Sequence, residues 1–155
     1  MDSLTIRQAA QEDLTIIQEI EKVSFPSPWS TDIFQTTLSD QRCRNIVICS
    51  NGEVVGYCFA FMMKTMLHML NLAVHPGHRK KGVAKRLLNE IISGARTCDK
   101  EYVFLEVRKS NEQARLLYES IGFSRVSTWP KYYTDTREDA DVMVKRVKGK
   151  QYERH

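Results

Sequence analysis

Apolar and polar positions alternate along this chain with two periods, and the switches between them lay out the elements. Residues 3–9 alternate around Leu4 and Ile6 and predict a short strand. Residues 11–23, QEDLTIIQEIEKV, put Leu14, Ile17, Ile20 and Val23 on one helical face. The two prolines of SFPSPWS end that helix, and Ser30 is placed to cap the next, TDIFQTTL. NIVICS (45–50) and EVVGYCFAFMMK (53–64) read as strands joined at Asn51-Gly52, two residues that accept the positive φ of a type I′ hairpin turn. LHMLNLAV (67–74) is a further strand, stopped by Pro76.

The second half continues the alternation. Residues 83–96 form an amphipathic helix with Val83, Leu87, Leu88, Ile91 and Ile92 inward. YVFLEVR (102–108) is rich in β-formers. Ser110 with Gln113 has the spacing of a capping box for a helix through ARLLYESI, and Gly122 suits its C′ position. Residues 123–129 and 139–147 read as the last two strands, with the Tyr-rich segment between them a loop. The order β-α-α-β-β-β-α-β-α-β-β mixes hairpins with helical crossovers, which predicts an α+β domain (an α/β mixed sheet) flanked by helices. Residues 1–147 read as one domain and residues 148–155 as a basic tail.

Composition narrows the class. The 155 residues are 42% hydrophobic and 27% charged, ordinary for a globular chain. No run approaches the roughly 18–20 apolar residues needed to span a bilayer. The acidic start MDSLTIRQAAQEDL lacks a secretory pattern, so the expected location is cytoplasmic, with no membrane partner. The net charge of +4 is uneven: from Lys145 onward stand five basic residues and one acid, leaving 18 of each sign before them. A neutral body argues against direct nucleic-acid binding. Cys43, Cys49, Cys58 and Cys98 form no CxxC pair and lack ligand spacing, so no metal is expected and the thiols read as free. Nothing in the composition fixes the oligomeric state, for which monomer or weak dimer is the expectation.

The chemistry concentrates in Arg79-Lys80-Lys81-Gly82-Val83-Ala84, between a strand and a helix. Free N–H groups at a helix start, with Gly82 lacking a side chain and cations beside it, suit an anion such as a pyrophosphate. The segment is neither GxxxxGK[ST] nor GxGxxG, and a plain basic loop explains it as well. Glu106 is a carboxylate inside an apolar strand, either a base or a solvent-facing acid paired with Arg108, which shares its face. Tyr118 lies on an amphipathic helix, where a core aromatic is the bland reading. Asn111 is a natural capping residue. Phe25 and Trp29 fit a connection closing the core, and Glu138 and Asp139 fit a salt bridge with Arg137.

RKKGVA resembles the R/Q-x-x-G-x-G/A motif of the GCN5-related N-acetyltransferase (GNAT) superfamily, with Ala84 where many members have Gly. LNLAVHPGHRKKGVAKRLL, LEVRKSNEQARLLYESIGF and YYTDTREDADVM follow in an order and spacing similar to the ribosomal-protein-alanine N-acetyltransferases, and FPSPWS resembles their FPWS segment. The likeness runs from about residue 3 to 147. It implies the GNAT fold of about seven strands and four helices, and acetyl-CoA as co-substrate. It implies that Arg79, Lys80, Lys81, Gly82, Val83, Ala84 and Lys85 bind the pyrophosphate, with Asn111 and the backbone of Leu72, Ala73 and Val74 along the pantetheine arm. It implies Glu106 as base, Tyr118 as acid, and Phe25, Trp29, Tyr132, Tyr133 and Glu138 around the acceptor. The acceptor implied is the N-terminal peptide of a ribosomal protein. The cofactor motif does not encode the acceptor, so a lysine side chain or a small amine remains open. A non-catalytic acyl-CoA- or RNA-binding module is the reading from another class.

Overall fold

The computed structural model describes residues 3–148; the tail beyond Lys148 lies outside the described residues. Seven strands and four helices run in the order β1 (Leu4–Gln8), α1 (Leu14–Ser24), α2 (Thr31–Ser39), β2 (Cys43–Ser50), β3 (Glu53–Met62), β4 (Met66–Val74), α3 (Val83–Thr97), β5 (Tyr102–Arg108), α4 (Glu112–Ile121), β6 (Ser124–Tyr133) and β7 (Glu138–Arg146). They match the predicted elements in number and order. The chain divides into two compact units. One comprises the residues up to Met62 with Met69–Ile91, the other Met63–His68 with the residues from Ile92 on. The strand order is β1-β2-β3-β4-β5-β7-β6, with β4 running from the second unit into the first.

In the first unit β1, β2 and β3 pair antiparallel, and the Asn51-Gly52 turn joins Ser50 directly to Glu53. Both turn residues have positive φ, 53° and 87°, as the two-residue hairpin requires. A register shift at Ile48/Cys49 kinks this hairpin. Close by, Gly56 lets Leu87 of α3 and the Ala73 carbonyl approach so closely that a Cβ would meet them at 3.3 and 3.1 Å. The core behind the sheet gathers Leu14, Ile17, Ile20, Phe34, Val47, Tyr57, Phe59 and Ala73. Val23, predicted inward, is 64% exposed, because α1 ends one residue later and the chain turns away at Phe25.

The second unit is built on β5. It pairs in parallel with β4 over Met66–His68 and antiparallel with β7 along its whole length. The parallel step needs the long crossover that α3 supplies. Val103, Leu105 and Val107 are buried, while Tyr102, Phe104, Glu106 and Arg108 line the other face. Strand β6 is the sheet edge, and its ladder to β7 shifts register twice, at Arg125/Ser127 and at Trp129/Tyr133.

Three local expectations differ. Residues 11–13 form a 3-10 turn before α1, because Asp13 turns in to accept from Arg7 Nη1 and Nη2 (2.8 Å each) and the Ala10 N–H (2.8 Å). The cap of α4 is Asn111, whose Oδ1 accepts from the Ala114 N–H at 3.2 Å; the Ser110 N–H instead donates to Glu138. The segment expected to be a loop is the end of β6, so Tyr132 and Tyr133 stand on a strand and the turn is confined to residues 134–137. Among the described residues no helix is long and apolar enough to cross a membrane.

Candidate active site

Strand alternation sets Glu106 on the less buried face of β5, yet its side chain is only 10% exposed. It does not pair with Arg108. Both of its oxygens lie at hydrogen-bond distance from His68 Nε2, 2.9 and 2.7 Å. Tyr132 stands close enough for its phenol to feel the Glu106 charge. Burial and the Glu106 charge push the Tyr132 phenol up, and the same causes push Tyr133 up to about 12, so both stay protonated near neutral pH.

The tyrosines arrive by way of an irregular strand end. Pro130 offers no N–H to a ladder, Lys131 takes a φ of 53°, and its N–H is taken by Asp139 Oδ1 at 2.9 Å. Arg108 stacks over the Tyr133 ring at 4.1 Å and donates to both Asp135 oxygens, with Glu138 Oε1 at 3.5 Å. Glu138 accepts from the Ser110 N–H (2.6 Å), which together with Arg108 holds its carboxyl below the usual range. The expected bridges to Arg137 are therefore replaced. Glu138 ties β7 to the start of α4 and to Arg108, and Asp139 holds the bend of β6.

Tyr118 lies in the last turns of α4, 8% exposed, its ring 5.9 Å from Phe123. Asn111 fixes where that helix starts and Gly122, at φ 106°, where it stops. Tyr118 is a phenol on a helix held at both ends, in the same unit as Glu106.

The basic segment belongs to the first unit. Lys80 (φ 62°) and Gly82 (φ 80°) are both left-handed, with Lys81 between them. Such an alternation turns successive N–H groups toward one side, the geometry of an anion-binding nest. The first helical bond of α3 runs from the Arg86 N–H to the Gly82 carbonyl, so the N–H groups of Val83, Ala84 and Lys85 precede the helical ladder. Nothing stands within 4 Å of where a Gly82 Cβ would be, while Lys80, Lys81 and Lys85 are exposed. Arg79 differs from its neighbours. Its Nε donates to the Val74 carbonyl (2.9 Å) and its Nη2 to Ser24 Oγ (3.0 Å), pinning the loop to the ends of β4 and α1. Ala73 and Val74 are buried and Leu72 half-buried, as expected at the end of a central strand.

Residues 14–123 match the Acetyltransferase (GNAT) family. This chain belongs to the GNAT acetyltransferases. The [ribosomal protein bS18]-alanine N-acetyltransferase of Escherichia coli K12 is 31% identical over 142 residues, covering 90% of this chain and 95% of that protein. A crystal structure of the Escherichia coli enzyme superposes with a TM-score of 0.87 at 30% identity, covering 94% of each chain. Arabidopsis NAA60 in complex with acetyl-CoA has the same fold, with a TM-score of 0.84 at 20% identity over 94% of this chain and 99% of that one.

For a GNAT acetyltransferase the nest, the three leading amides and the open space at Gly82 fit a pyrophosphate. Phe25 and Trp29 sit half-buried against the core of the first unit, with Trp29 5.1 Å from Phe34 and 6.2 Å from Phe59. That is the core-closing arrangement, built around a group that sequence reasoning missed. Glu21 is 1% exposed and accepts from the Tyr57 hydroxyl, Asn71 Nδ2 (2.9 Å) and the Trp29 N–H (2.9 Å). Burial and the Glu21 charge drive the Tyr57 phenol far up, so it acts only as a donor. His68 was missed too. A lone histidine among apolar strand residues carries no spacing signal, and its partner is 38 positions away.

Proposed function

We propose that this acetyltransferase transfers the acetyl group of acetyl-CoA to the α-amine of a protein N-terminus, with the N-terminal alanine of a small-subunit ribosomal protein as its substrate. The observation that carries the reading is a carboxylate, Glu106, nine-tenths buried yet hydrogen-bonded to His68, in the strand that the sequence resemblance marks as bearing the base. The acceptor reading is supported by the likeness over almost the whole chain to enzymes named for ribosomal protein bS18.

A protonated amine cannot attack a thioester, so its proton must leave first. An α-amine has a pKa of roughly 7.7–8.0, and a carboxylate can take its proton near neutral pH, directly or through a water. The amine nitrogen then attacks the acetyl carbonyl, the C–S bond breaks, and the thiolate takes a proton from the phenol O–H of Tyr118. A backbone N–H at Leu72–Val74 serves the developing oxyanion. The amides from Gly82 to Lys85 hold the pyrophosphate, with Lys80 and Lys81 adding field. Asn111 contacts the pantetheine arm. Tyr132 and Tyr133 bound the peptide. Glu138 is already engaged by Arg108 and the Ser110 N–H, so its part is to order the Tyr133 region rather than to meet the substrate ammonium. The reading places the enzyme in the cytoplasm with its ribosomal substrate.

The test is a panel of peptides differing in their first residue, each with and without an N-terminal block, incubated with acetyl-CoA while CoA release is followed. The proposal expects turnover on free Ala-initiated peptides and none on blocked ones. Equal turnover on blocked, lysine-containing peptides would overturn it.

A further inference from the structure

We propose that His68 is a positioning residue for the acetyl transfer, holding the Glu106 carboxylate at a fixed angle through a shared Nε2–H hydrogen bond. This rests on the reading of Glu106 as the base.

An ionised carboxylate only accepts, so the nitrogen facing it carries the proton; the pairing assigns the tautomer. With 2.9 and 2.7 Å to the two oxygens, one N–H is shared between them and fixes the plane of the carboxylate. The imidazole is itself held. It lies flat on the Phe104 ring, with centroids 4.2 Å apart and planes 8° apart. His68 and Phe104 are register partners in the β4–β5 ladder, and Glu106 is two residues further along the same face of β5. The backbone ladder thus sets the stack, the stack sets the ring, and the ring sets the carboxylate. This is not an exposed ion pair of negligible worth, since the two side chains are 22% and 10% exposed.

Of the neighbouring groups, Tyr132 and Tyr133 of β6 stay neutral near pH 7, because burial and the Glu106 charge push both phenols up, and Arg108 of β5 is held by Asp135 and Glu138.

The experiment compares kcat and the KM for acetyl-CoA for the wild type, His68→Ala, His68→Gln and Glu106→Gln, with folding checked by thermal melting. His68→Ala is expected to lower kcat at least about tenfold and to leave the KM for acetyl-CoA within about twofold. His68→Gln, whose amide keeps an N–H donor at similar reach, is expected to recover kcat to within about threefold of the wild type. The proposal is overturned if His68→Ala keeps the wild-type kcat, or if His68→Gln, melting as the wild type does, recovers no activity over His68→Ala. A collapse of turnover in Glu106→Gln beside a normal His68→Ala removes the positioning role alone. Near-normal turnover in Glu106→Gln removes the base reading and this role with it.

Discussion

Gly82 combines a φ of 80° with open space where a Cβ would stand. Packing therefore does not require glycine there, whereas the left-handed backbone costs a residue with a Cβ only about 1 kcal/mol. If the space receives a pyrophosphate, Gly82→Ala raises the KM for acetyl-CoA at least about tenfold while the melting temperature falls by only a few degrees; an unchanged KM would remove the cradle. Glu106→Gln and Tyr118→Phe should instead each lower kcat more than about tenfold with the KM for acetyl-CoA nearly constant, because each removes a proton transfer rather than a binding contact. Steady-state kinetics on the three variants separates the two classes. At this scale the sequence was informative wherever a residue acts through its own backbone. Gly82, Gly122 and the Asn51-Gly52 turn all have the positive φ their identities suggest. It was uninformative wherever a role depends on a distant partner, as in His68 with Glu106, Glu21 with Asn71, or Arg79 with the Val74 carbonyl.

Elements were legible through their periods, and the departures sit at their ends. The 3-10 turn ahead of α1 exists because Asp13 is buried against Arg7 and the Ala10 N–H, which together hold its carboxyl below the ordinary value of 3.8 despite the opposing effect of burial. A depressed folded-state pKa stabilises the fold above the unfolded value, and that stabilisation is lost as pH falls through the lower folded value. Asp13→Ala should cost about 1–3 kcal/mol at pH 7, or several degrees of melting temperature, and the gap to the wild type should narrow below about pH 4. Thermal melts across pH 3–7 measure it; a gap that persists unchanged at pH 3 would contradict the account. Strand β6 shows the limit of period reading. Pro130 and Lys-Tyr-Tyr look like a loop because the strand is bent there by irregular register, and only the pairing of Tyr133 with Glu138 reveals its continuation.

At the scale of the whole molecule, the order of elements and the strand sequence β1-β2-β3-β4-β5-β7-β6 agree with the α+β reading, since hairpins and crossovers were visible as short and long connections. The proposed machinery divides between the units. The nest of residues 79–85 and the aromatic set of Phe25 and Trp29 belong to the first, and Glu106, Tyr118, His68 and the paired tyrosines to the second. The most direct measurement of the central claim uses one peptide that begins with alanine, has a free α-amine and contains an internal lysine. The peptide is incubated with acetyl-CoA and the enzyme, and fragment masses locate the acetyl group. The account predicts a single acetyl group on the alanine nitrogen, formed more than about tenfold more slowly with Glu106→Gln. An acetyl group on the lysine Nζ, or none on the α-amine, would contradict it.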